Sequence, residues 1–117
     1  MAHLTARQVL TEVDKLLPNQ YTEVQKRRWL TRAEGFVARE IMGAEVPELL
    51  DDGWEMLAGE PYGAMYGHSV EAQIHYANGE TERYNNAGLA WNQGFVEFRN
   101  YFNRQQLCQC RAALKLC

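Results

Sequence analysis

At 117 residues, with 46% hydrophobic and 23% charged positions, the chain has material for one soluble domain around one modest core. No apolar run approaches the roughly 18 residues of a membrane span. The N-terminal MAHLTARQVLTEVDKLL places acids inside its apolar pattern and lacks a small-residue cleavage site, so a secretory signal is not expected. A net charge of −3 argues against general nucleic-acid binding, and its distribution says more than its sum. Positions 43–60 carry Glu45, Glu48, Asp51, Asp52, Glu55 and Glu60 with no base, whereas 99–117 carry Arg99, Arg104, Arg111 and Lys115 with no acid. These are either two solvated regions or complementary surfaces that meet between copies.

In chain order, Thr5 with Gln8 is a capping-box signature opening a first helix of about three turns, lined by Val9, Val13 and Leu16 and stopped by Pro18. Thr22 with Gln25 repeats the signature. The second helix sets Trp29, Ala33, Phe36, Val37 and Ile41 on its apolar side and ends near Met42-Gly43. Lys26, Arg27, Arg28, Arg32 and Arg39 are expected on its exposed side. They are interspersed with Glu23, Glu34 and Glu40, as on a solvated face, although such bases can also meet DNA phosphates. Positions 43–60 keep no period. Residues 45–50 read as a short strand or a turn, Asp51-Asp52-Gly53 as a turn, and Trp54, Met56 and Leu57 as packing back on the core. A connection this long is either functional or held by partners.

Pro61 suits the first turn of a third helix carrying Tyr66, Val70, Ile74 and Ala77. Asn78-Gly79 is a stop by local rules. The period through Tyr84 instead predicts that the helix continues to the polar pair Asn85-Asn86, which would cap a fourth helix reaching about Arg104. Trp91, Phe95, Phe98 and Phe102 return to one face of that last helix, and with Trp29, Phe36 and Ile74 they form the expected core. The fold class is therefore all-α: a small bundle of about four helices with a long acidic loop between the second and third. Residues 1–105 form the domain and 106–117 a tail.

Catalytic patterns are scarce. His68, Glu71 and His75 share a helix side, but the two histidines stand about 10 Å apart along the axis, too far to share an ion easily. They read as surface or interface histidines. Cys108, Cys110 and Cys117 form neither a disulfide framework nor a four-ligand zinc set, and read as free thiols. Ser69 has no evident base, and no phosphate-binding glycine loop or nucleophile-elbow motif occurs. No enzyme activity and no cofactor are expected.

The run EAQIHYANGE (71–80), then RYNNA (83–87) and FVEFRNYFNR (95–104), resembles the head–tail connector (head completion, or adaptor) proteins of tailed bacteriophages. Leu17-Pro18-Asn19-x-Tyr21, Arg28-Trp29-Leu30 and Glu34-Gly35 resemble that family's first two helices, so the similarity spans about residues 5–104. It implies a helical adaptor in the virion neck, assembled in the host cytoplasm as a ring, dodecameric on the virion, below the portal protein. The ring would extend the DNA channel without sequence-specific DNA binding or membrane contact, and would dock the next neck or tail-completion protein. On this reading Glu45, Glu48, Asp51, Asp52 and Glu55 face the lumen or an adjoining ring. Glu71, Arg83, Asn85, Asn86, Asn100, Arg104, Arg111 and Lys115 would contact a neighbouring subunit or the portal. The chain departs from the family pattern after Arg104, where LCQCRAALKLC replaces a short polar end. A small helical DNA-binding protein using Lys26, Arg27, Arg28 and Arg32, or a regulatory protein, is the alternative.

Overall fold

Both expected helix starts are built as capping boxes. Thr5 and Thr22 each accept from the backbone N–H three residues on, while Gln8 and Gln25 reach back to the cap backbone. In the computed structural model, which describes residues 2–113 and the side chains through Leu107, four helices follow. They are α1 (Ala6–Leu16), α2 (Glu23–Val37), α3 (Ala64–Asn78) and α4 (Thr81–Ala113). A π-helical turn, Ala38–Met42, extends α2 and ends at Gly43 in the left-handed conformation. Among the described residues there is no strand, only an isolated antiparallel bridge between Thr5 and Glu55. No described helix is long and apolar enough to cross a membrane. The all-helical, four-helix expectation holds.

The core lies where α1, α2 and α3 converge, filled by Leu10, Val13, Leu30, Val37, Tyr66, Val70 and Ile74, with Phe95 and Phe98 arriving from α4. Each fully buried side chain of this size contributes about 1.5–3 kcal/mol relative to exposure. Of the expected core aromatics, Phe95 and Phe98 are buried, while Trp29, Trp91 and Phe102 are partly buried against the cluster. Phe36 is 38% exposed. It lies one residue, about 100° of helix, from the buried Val37, and so reaches only the edge of the core. There its ring packs 5.0 Å from that of Phe95.

The largest departure from expectation is the corner between α3 and α4. Helix α3 starts at Ala64, past Pro61, and stops at Asn78, where Gly79 takes φ 77° and its N–H meets the carbonyls of His75 and Tyr76. A side chain at that φ is strained, so the local glycine signal wins over the apparent period. Tyr84 is explained by pairing: its ring lies 5.2 Å from that of Tyr76 across the corner. In one continuous helix, eight residues would separate the two by about 12 Å along the axis. Asn85 and Asn86 thus lie inside α4 instead of capping it.

The two helices form an antiparallel hairpin whose pairings run in step. Tyr66 meets Trp91, and Tyr62, just before α3, meets Phe98 and Tyr101. At Gly94 the backbones come close enough that a Cβ would sit 2.6 Å from Met65 Cβ. The helix α4 does not end at Arg104 but runs on to Ala113; residues 114–117, Lys115 among them, lie outside the described residues. The resulting dimensions are 54 × 30 × 21 Å.

Candidate interaction surfaces

The segment between Gly43 and α3 lacks regular structure, yet it is held from several sides. Glu34 on α2 is fully buried and accepts the Trp54 indole N–H at 2.6 Å, the Leu57 backbone N–H at 2.8 Å and the Tyr66 hydroxyl at 2.7 Å. Tyr66 in turn accepts from the Ala58 N–H at 3.0 Å. Burial pushes the Glu34 carboxyl above the ordinary carboxylate range, and its three donors oppose that shift. Burial and the adjacent Glu34 likewise push the Tyr66 hydroxyl up. Among the described residues, every buried side-chain polar atom has a partner. The sequence reading placed Glu34 among surface charges and missed this role. The available signal was its position on the Leu30–Ala33–Val37 side, a carboxylate within an apolar stripe.

Two further ties complete the loop. The Thr31 hydroxyl accepts from the Leu50 N–H at 3.2 Å, and Arg27 donates to the Leu50 carbonyl at 3.0 Å. Residues 2–7 run antiparallel to 52–60, with Met56 N–H bonded to Leu4 O at 2.8 Å and Ala6 N–H to Trp54 O at 2.9 Å. His3 Nδ1 lies 2.7 Å from Met56 O, so that nitrogen carries the proton.

The expected acidic surface divides accordingly. Glu45, Glu48, Asp51 and Glu55 are exposed. Asp52 also reaches solvent, but its carboxylate is gripped by Arg7 and Arg27, which share Glu23 as well. The Arg27 hydrogen bond holds Asp52 below the usual carboxylate range. Asp52 therefore joins a clamp between the loop, α1 and α2. Of the bases expected on the open face of α2, Lys26 is buried against Asp14 at 2.6 Å, and the Arg27 side chain is 11% exposed inside that clamp. Solvation is costly to lose, and the carboxylate partners offset that cost for the buried Lys26 and the partly buried Arg27. Arg28, Arg32 and Arg39 remain exposed.

The expected contact residues lie mostly on α4. Arg83, Asn85, Asn86, Asn100 and Arg104 are all exposed, alongside Leu89 at 69% exposure. Arg111 lies on α4 beyond the described side chains. Glu71 is partly buried on α3, with His68 Nδ1 at 3.2 Å. His75, expected at the surface, is buried instead and faces Glu80 at 3.0 Å across the corner. That contact holds the Glu80 carboxyl below its ordinary range.

Two grooves accompany these faces. One, about 200 Å³, lies between α2, α3 and α4 and is lined by Trp29, Phe36, Gln73 and Trp91. The other, about 230 Å³, runs between α1 and α3. Among the described residues no group of histidine, cysteine and carboxylate side chains could hold a metal ion. The fold and its surfaces define a small all-helical bundle with one long, outward-facing helix. No protein-family model, curated protein or solved structure matches the chain.

Proposed function

We propose that the chain is a structural adaptor of a tailed-phage neck, forming a ring below the portal protein that continues the DNA channel and docks the next neck or tail-completion protein. The observation that carries this reading is α4. Its outward face presents Asn85, Asn86, Leu89, Asn100 and Arg104 to solvent, and residues 103–107 beyond the last core contact are all exposed. Amide-rich faces with isolated large apolar groups suit protein contacts, where charges are depleted and hydrogen bonds give register. The resemblance over residues 5–104 supplies the kind of assembly. The exposed Glu45, Glu48, Asp51 and Glu55 would repel DNA phosphates in a lumen and let a genome slide. The basic end of the chain would meet a neighbouring subunit or the portal.

The DNA-binding alternative is weakened by the ion pairs of Lys26 and Arg27, which occupy two of the four bases it needs. It predicts steeply salt-dependent binding to duplex DNA. The deciding experiment mixes the purified chain with a cognate portal protein and weighs the particles with and without it. A ring on the portal with DNA affinity near background is the expected outcome. A monomer in both conditions, or tight salt-sensitive duplex binding, would overturn the proposal.

A further inference from the structure

The end of α4 projects an apolar side chain flanked by a base, and the α1/α3 groove of the same chain is an apolar hollow flanked by acids. The hairpin pairing is regular, so the point where α4 leaves the bundle can be read from it. Tyr62 meets Phe98 and Tyr101, and among the described side chains Phe102 is the last on α4 packed against the core. Residues 103–107 are all exposed, and the helix continues to Ala113. The overhang from 103 to 113 is roughly 16 Å at 1.5 Å per residue. Within it Leu107 is 52% exposed. Arg104 stands three residues before it, on the same helix face by spacing.

The groove between α1 and α3 is the complement of that face. Its floor is apolar, made by Leu4, Val13, Leu16 and Gly67, and Glu12 and Glu71 stand at its margin. An adjoining depression of about 500 Å³ shares Leu4 and Glu12 and adds Glu60, Lys15 and Arg7, the last already paired with Glu23 and Asp52. At about 230 Å³ the groove falls below the roughly 300–1,000 Å³ of ordinary small-molecule sites and suits inserted side chains. Leu16, at 68% exposure, leaves its wall open to solvent.

We infer that the α4 overhang of one copy seats in the α1/α3 groove of a second copy, with Leu107 entering the groove and Arg104 meeting the carboxylates of Glu12, Glu60 and Glu71. An unbroken helix carries the overhang away from the bundle and cannot fold it back onto its own α1, so the occupant is another copy. The acid-free stretch from Arg99 to Cys117 supplies the charge that the groove margin attracts. The inference rests on the self-assembling reading above and names the contact that closes it.

A photo-reactive benzoylphenylalanine at position 107 of the full chain tests this, in mixed isotope-labelled and unlabelled copies, alone and on the portal protein. Crosslinks between copies to residues 4–16 or 63–71 are expected. Reversing charge with Glu12→Arg should weaken self-association about tenfold, and adding Arg104→Glu should restore most of it. Glu12, Leu16 and Arg104 are exposed, so a circular-dichroism check suffices to show that such variants fold. Crosslinks between copies that map elsewhere, or to portal residues alone, overturn the groove contact and leave the ring standing. No assembly in either condition overturns both.

Discussion

The loop from 43 to 63 and the helix α4 invert the usual relation between regularity and anchorage. The loop has no repeating backbone pattern, yet its Leu50, Met56 and Ala58 are buried and its amides are claimed by α2, α3 and the N-terminal residues. Helix α4 is the most regular element and the least enclosed, packed chiefly along α3 and exposed from Asn103 through Leu107. Anchorage here follows where buried hydrogen-bond partners lie, and secondary structure alone would rank the two regions in reverse. A surface for partners is best placed on the element that holds its own shape without neighbours.

The strongest way to break the comparison is to remove the loop's anchor. Glu34→Ala leaves the Trp54 indole N–H, the Leu57 N–H and the Tyr66 hydroxyl without their acceptor in the core. The expected loss is about 3–5 kcal/mol in denaturant unfolding followed by tryptophan fluorescence, since each stranded buried group costs about 1–3 kcal/mol. A loss under 1 kcal/mol would mean that the loop is not held from Glu34.

A pH series sharpens the same contrast through two carboxylates of opposite sign. Glu34 has a raised folded-state pKa, so the folded chain binds more protons at that site than the unfolded chain. Its carboxylate therefore costs stability progressively as pH rises from the ordinary glutamate range through the raised pKa. Glu34→Gln should gain on the native chain across that window. The Asp52 pKa is lowered, so its contribution is present above the ordinary aspartate range and is lost as pH falls through the lowered pKa. Asp52→Asn should differ most from the native chain at neutral pH and converge with it in acid. Unfolding midpoints between pH 3 and 7 read both, and parallel curves would refute the assignment.

The smallest expected effect is on α4. Asn85→Ala with Asn86→Ala should change monomer stability by no more than about 0.5 kcal/mol, as for exposed positions free of special contacts. The same pair should impair assembly on the portal protein. Normal assembly by this variant would remove those amides from the interface.

These regions also differ in how much of them could be read from residues alone. The capping boxes at Thr5 and Thr22, the stop at Pro18 and the aromatic stripe of α4 were legible because each is encoded within one or two helical turns. The Gly79 corner was encoded just as locally, but Tyr84 falling in period with α3 masked it; only the pairing with Tyr76 shows why both fit. The Glu34 network was hidden by distance along the chain, since its donors lie 20, 23 and 32 residues away. Lys26 and Arg27 were misplaced for the same reason: their partners Asp14 and Asp52 sit on other elements. The exposed positions of Asn85, Asn86, Asn100 and Arg104 followed from helix spacing, but spacing could not reveal that the helix outlasts the bundle.

The tight corner at Gly79 has a consequence for how such a chain can change. It fixes where α4 begins to pair, and the length of α3 fixes where pairing stops, so everything past Phe102 is free of the core's dimensions. Seven residues inserted after Asn103 would lengthen the projection by about 10 Å and rotate its tip by only about 20°. Reach and folding are thus separately adjustable, and a lineage could refit the arm to a wider or narrower neighbour without renegotiating the interior.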